Sequence, residues 1–116
     1  MAIVNVTDTK RFTNVVEYTG GAMSVLNDEM RVFGHASEFT FAFEVTGGAN
    51  FTMAFEATFN GGNTWYEIDT SKTITADGEY IYFYTGKPVN RIRMRISSIS
   101  SGTPSVLPHI GVAYHG

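Results

Sequence analysis

The chain has no cysteine among its 116 residues, which excludes a disulfide frame and a thiolate metal site. Prolines number only three, and charged residues make up 16% with a formal net charge of −3. So low a charge density is unusual for a surface that meets only water, and it predicts that a partner covers part of it. No apolar run approaches the ~20 residues of a membrane span. Met1-Ala2-Ile3-Val4-Asn5-Val6-Thr7 has neither the basic start nor the apolar stretch of a signal peptide. Synthesis in a cytoplasm with no membrane partner is therefore the expectation, under which Asn5-Val6-Thr7 and Asn50-Phe51-Thr52 are chance sequons. Eight basic residues in a net acidic chain lack the field that drives nonspecific phosphate binding, so no nucleic acid is expected either.

What the chain does carry is aromatics in alternation. Phe39, Phe41, Phe43 and Val45 occupy every second position, and after Gly47-Gly48 so do Met53, Phe55, Ala57 and Phe59. A period of two places them on one face of extended strands. Nine Phe and six Tyr in a chain that is 43% hydrophobic, each contributing roughly 1.5–3 kcal/mol on burial, suffice for one core and predict a single domain over residues 1–116. Strands are expected at residues 3–6, 12–18, 38–46, 50–59, 64–68, 73–75, 80–85, 91–98 and 106–114, the last interrupted by Pro108, which has no amide hydrogen to donate. Residues 23–33 read as a tight turn at Asn27-Asp28-Glu29 between short strands. Asn60-Gly61 signals a type I′ hairpin, which would make 38–46, 50–59 and 64–68 antiparallel neighbours. Eight or nine strands without helices cannot bury both faces of one sheet. The predicted fold is an all-β, antiparallel, jelly-roll-like sandwich, whose strand order leaves no periodic trace.

Arg91, Arg93 and Arg95 alternate with Ile92, Met94 and Ile96, which puts three guanidinium groups on one face. They could form an electropositive stripe that docks on carboxylates or phosphates, or pair across strands with Glu44, Glu56 or Glu67. Tyr80, Tyr82 and Tyr84, opposed by Ile81 and Phe83, could form a sugar platform or interface patch, or be plain sheet residues. If Gly86-Lys87-Pro88 joins neighbouring strands, tyrosines and arginines share a face. His35, His109 and His115 are scattered and lack a third ligand, so no metal is expected. The acidic pairs Asp28/Glu29 and Glu67/Asp69 have no cleft around them. Residues 97–101, rich in serine, have no nucleophile elbow and read as a polar loop. No catalytic residue and no cofactor are predicted.

Thr58-Phe59-Asn60-Gly61-Gly62-Asn63-Thr64-Trp65 resembles the Asp-box of sialidase-type propellers, with Asn60 where that motif has aspartate. The resemblance implies a structural hairpin built on Asn60, Gly61 and Gly62, with Trp65 packed beneath. Over most of the chain, Phe55-Glu56-Ala57-Thr58-Phe59-Asn60-Gly61-Gly62-Asn63-Thr64-Trp65-Tyr66-Glu67-Ile68, then Thr75-Ala76-Asp77-Gly78-Glu79-Tyr80, then Asn90-Arg91-Ile92-Arg93-Met94-Arg95, is similar to small β-sandwich proteins of tailed-bacteriophage virions. That similarity implies a capsid decoration or cement protein, a homotrimer on the capsid surface whose partner is the major capsid protein. The same cadence occurs in carbohydrate-binding modules, so a glycan- or receptor-binding module and a tail, neck or baseplate component are the alternatives.

Overall fold

The computed structural model describes residues 3–12, 15–33, 38–85 and 91–113. Among them run ten strands: β1 (Val6–Phe12), β2 (Val15–Gly20), β3 (Glu29–Phe33), β4 (Glu38–Thr46), β5 (Asn50–Thr58), β6 (Tyr66–Glu67), β7 (Lys72–Ile74), β8 (Gly78–Thr85), β9 (Arg91–Ser101) and β10 (Ser105–Ala113). They form two stacked sheets, one ordered β1-β2-β10-β4-β8 and the other β3-β9-β5-β6, with β7 also paired to β5. Every strand pairing is antiparallel, as the sequence predicts.

The connectivity is that of a long hairpin rolled up. Its apex is the loop 59–65, and from there outward β5 pairs with β6 and β7, β4 with β8, β3 with β9 and β2 with β10. Alternate pairs fall in opposite sheets, which is the wrapping of a jelly roll. One local expectation fails for this reason. The Gly47-Gly48-Ala49 connection does not make a hairpin between β4 and β5 but carries the chain from one sheet to the other, so only β5 and β6 of the three expected neighbours are paired.

The alternation predicted for β4 and β5 is the core itself. Phe41, Phe43, Phe51, Met53 and Phe55 are essentially inaccessible, and the Phe41 and Phe55 rings stack across the two sheets with centroids 4.7 Å apart. Ile92, Met94 and Ile96 of β9 and Val106, Ile110 and Val112 of β10 fill the remainder. Phe59 is a correction. β5 ends at Thr58, so Phe59 leaves the inward row, is exposed, and stacks on Tyr66 at the surface.

Three further differences have local causes. Residues 7–11, read as a connection, belong to β1, whose sequence VTDTKRF is exposed throughout and so carries no apolar period; Ile3, expected in a strand, forms only an isolated bridge to Glu29. Pro108 does not interrupt β10: the register with β4 runs through it, while pairing with β2 stops at His109, so the proline stands where the strand has a single neighbour. Residues 97–101, read as a loop, continue β9. The turn at Asn27 forms as expected, with Asn27 in the left-handed region at φ 69° and the buried Asp28 carboxylate accepting from the Ser24 and Val25 amides.

At the sheet-to-sheet crossing both glycines have positive φ, but only at Gly47 would a Cβ meet backbone, the Thr103 carbonyl oxygen at 2.6 Å; around Gly48 the space is open. Gly47→Ala is expected to lower unfolding free energy by at least about 2 kcal/mol more than Gly48→Ala, measured by urea denaturation of the two variants side by side.

Candidate functional site

The outer faces of the two sheets have opposite characters. On the second sheet, antiparallel register sets Arg93 of β9 opposite Glu56 of β5 and Arg31 of β3, and directly opposed residues share a face. Arg93 donates to Glu29 at 2.6 Å through Nη1 and to Glu56 at 2.9 Å through Nε. Arg95 donates to Glu56 through Nε at 2.9 Å and to Asn27 Oδ1 at 2.7 Å, and Arg31 pairs with Glu29. Trp65 lies over this network, its ring 4.1 Å from the Arg93 guanidinium carbon and 5.1 Å from that of Arg31.

Arg93 and Arg95 therefore take the cross-strand alternative with Glu56, and they form a closed ion network with Glu29 rather than a stripe open to a docking anion. Of the other two acids considered as partners, Glu44 lies on the opposite sheet and bonds His109, and Glu67 accepts from Ser71. Arg91, on the same face of β9, is half-buried. Burial pushes the Glu56 carboxyl up, but the Arg95 hydrogen bond and the charges of Arg93 and Arg95 outweigh it and hold the group below its ordinary value of 4.5. The Glu56 hydrogen bond in turn raises Arg95.

The Asp-box-like segment supplies the lid. Thr58, fully buried, donates through its hydroxyl to Asn60 Oδ1 and accepts from the Gly62 amide, and Asn60 Oδ1 also accepts from the Thr64 amide. Gly61 and Gly62, not Asn60, carry the positive φ. The turn is thus a side-chain-capped loop of residues 59–65 and not the type I′ hairpin expected from Asn60-Gly61. Trp65 packs beneath Gly62 as the motif implies.

The tyrosine ladder is the larger correction. In the β4·β8 register Phe43 faces Tyr80, Phe41 faces Tyr82 and Phe39 faces Tyr84, so the tyrosines point between the sheets. Tyr80 stacks on Phe43 at 5.3 Å, and Tyr82 lies 5.3 Å from Phe55. Their rings pack on the core while the hydroxyls reach its rim: Tyr80 donates to the Ala76 carbonyl and Tyr84 to Asp69 Oδ2. Burial pushes the Tyr84 hydroxyl up, and the Asp69 carboxylate adds to it; hydrogen bonds from Lys72 and Tyr84 hold Asp69 low. Nor do tyrosines and arginines share a face, because β8 and β9 lie in different sheets. What β8 presents outward is Ile81 and Phe83, 55% and 72% exposed.

Ile81 borders a groove of about 670 Å³ across the outer face of the first sheet, and Phe83 borders a neighbouring depression of about 310 Å³ that shares Thr40 with it. The form of the groove follows from side-chain size. In the middle strands Thr40, Ala42 and Gly111 stand low, while Glu17 of β2 on one side and Ile81 of β8 on the other stand tall. Glu44 and Glu79 are directly opposed at one end, and His109 bonds Glu44 at 2.7 Å and Thr19 at 2.9 Å with Glu17 at 3.7 Å. The groove is acidic and apolar together. Among the described residues no group of three or more side chains suited to a metal ion gathers; His35 and His115 lie outside them. The sequence reading missed Ile81 and Phe83 as outward residues because β8 alternates aromatic with apolar on both faces; only its pairing with β4 decides the parity. Glu17, Glu44 and Glu79 come from three strands and leave no local signal.

No family model matches the chain, and no curated protein matches it in sequence. Solved structures match it in fold. The CBM36-1 domain of a multidomain xylanase from the hindgut metagenome of Trinervitermes trinervoides superposes with a TM-score of 0.56 at 13% identity, covering 98% of this chain and 91% of that one. The SPBc2 prophage-derived protein YomS gives 0.51 at 11% identity, covering 88% of this chain and 98% of its own. The CBM22-1–GH10 modules of Clostridium thermocellum xylanase 10B, complexed with xylohexaose, give 0.51 at 11%, covering 87% of this chain and 22% of theirs. At these identities the likeness is one of β-sandwich fold.

Removing Glu56 would take a carboxylate from two guanidinium groups whose side chains are only 12% and 23% exposed, leaving Arg93 its bond to Glu29 and Arg95 its bond to Asn27. Glu56→Ala is expected to cost about 3 kcal/mol, read from the urea midpoint at neutral pH. Because the folded carboxyl lies below its ordinary 4.5, its contribution is fully present above that value and is lost as pH falls through the lower folded one. Urea midpoints between about pH 3 and 6 should fall on acidification less steeply in Glu56→Gln than in the native chain.

Proposed function

We propose that this protein is a noncatalytic adhesion module of a phage particle, a decoration protein that clamps the major capsid lattice from the capsid surface. The observation that carries the reading is the outward placement of Ile81 at the rim of an acidic groove, with Phe83 two positions along the same strand face over an adjoining depression. Two large apolar side chains exposed together on one strand face are the form of an interface anchor, and exposed aromatics of this kind are where binding energy concentrates. Glu17, Glu44 and Glu79 make the matching surface one that offers lysine or arginine around an apolar contact. The resemblance of the sequence to small virion sandwiches supports the same role, as does the whole-length likeness in fold to a prophage-derived protein. A ligand that binds only the assembled lattice shifts the equilibrium against disassembly, and many copies make modest contacts sufficient.

A second reading, a glycan-binding module, is favoured by the low floor of Thr40, Ala42 and Gly111 flanked by carboxylates able to accept from sugar hydroxyls. The fold it shares with two xylanase-borne modules fits that reading. The two readings separate experimentally. Capsids stripped of the protein should lose heat resistance and regain it on readdition, and Phe83→Ala should lower capsid occupancy by at least about tenfold while leaving the melting temperature within a degree or two. Unchanged resistance, with glycan-array binding abolished by Glu44→Gln, would transfer the assignment to the second reading.

A further inference from the structure

We propose that β1 is a self-pairing edge, at which a second copy of this chain adds its own β1 antiparallel about Thr9. The surface is separate from the groove, and the inference holds whichever occupant the groove takes.

Among the described residues β1 ends its sheet, with β2 as its single partner strand. All seven of its residues are exposed, although Val6 and Thr9 line a depression of about 460 Å³ together with Arg31 and Val32 of β3. The side away from β2 therefore offers a row of backbone N–H and C=O groups to any chain that can match it.

The sequence selects what matches. Two identical strands that continue one sheet are related by a two-fold axis perpendicular to it, which keeps each side chain on its own face. Centred on Thr9, the pairing sets Asp8 opposite Lys10 of the second copy and Lys10 opposite its Asp8, with threonine facing threonine between them. Centred one residue earlier it would set Asp8 against Asp8, and one residue later Lys10 against Lys10. Opposed unlike charges stabilise an antiparallel pair and opposed like charges destabilise it, so this register is favoured over both of its neighbours. Lys10 on an edge ordinarily repels an incoming strand; here the incoming strand brings the neutralising aspartate.

The local structure agrees. From Asp8 to Phe12 β1 keeps unbroken register with β2, the irregularity lying between Val6 and Asp8, so the central residues of the pairing are in regular strand. Asp8 and Lys10 face the same way, 3.9 Å apart with side chains 55% and 62% exposed; so exposed a pair holds neither charge back from a new partner. Val6 and Phe12, both exposed, stand at the two ends, and the two-fold brings Phe12 of one copy toward Val6 of the other. A single added strand buries less than a permanent interface, so the association is reversible.

Sedimentation equilibrium of the full chain up to about 1 mM tests this, with near-ultraviolet circular dichroism confirming the fold of each variant. The native chain is expected to be a monomer–dimer mixture that weakens with salt. Asp8→Lys and Lys10→Asp should each raise the dissociation constant by at least about tenfold, and the double reversal, which restores unlike charges across the axis, should return it to within about threefold of native. A native monomer or trimer at every concentration overturns the proposal, as do single reversals that leave the dimer intact or a double reversal no tighter than the singles.

Discussion

The stack of Phe41 on Phe55 joins the two sheets at their centre, and most of what surrounds it is arranged by that contact. Phe41 belongs to β4 and Phe55 to β5, strands joined by a short glycine connection yet placed in different sheets. Burying both rings requires that the chain cross between layers rather than turn back as a flat hairpin. Once β4 and β5 face each other, their sheet neighbours β8 and β9 follow into opposite sheets. The tyrosines of β8 then close the open side of the aromatic layer, with rings inside and hydroxyls at the rim.

The same wrapping explains why one outer face is closed and the other open. On the second sheet, three arginines meet two glutamates and a tryptophan carried in by the apex loop. Partly desolvated charges persist there because each is hydrogen-bonded to an opposite one, and a network so satisfied has little left to give a ligand. On the first sheet the central strands carry threonine, alanine and glycine outward, no loop folds over them among the described residues, and carboxylates stand around the depression with few cations among them. The proposed binding role is placed on this face because its low centre is left open, whereas the other face is covered by Trp65.

Much of the fold was legible because alternation is a local property. Phe39 to Val45, Met53 to Ala57 and Ile92 to Ile96 each declare an inward face through nothing but their own spacing, and the pairing of Arg93 and Arg95 with Glu56 needed only opposite charges on adjoining strands. β1 stayed hidden because a strand exposed on both faces has no apolar period to display. Asn60 misled because its side chain, not its backbone angle, makes the turn: the Thr58 hydroxyl and the Thr64 amide claim its oxygen. For the candidate site, the carboxylates of the groove come from strands far apart in sequence, and nothing in their immediate neighbours marks them.

By itself the sequence determined that this is an all-β, cysteine-free sandwich with an aromatic core, because side-chain alternation and composition act residue by residue. Tertiary structure alone decided which side of β8 is outside, which sheet each strand joins and where acid and apolar surface meet. Those depend on register between strands distant along the chain. Tyr82 and Phe83 differ by one hydroxyl, and both can line a core or a surface; it is Phe41, forty-one positions earlier and directly opposite Tyr82, that sends the tyrosine in and the phenylalanine out.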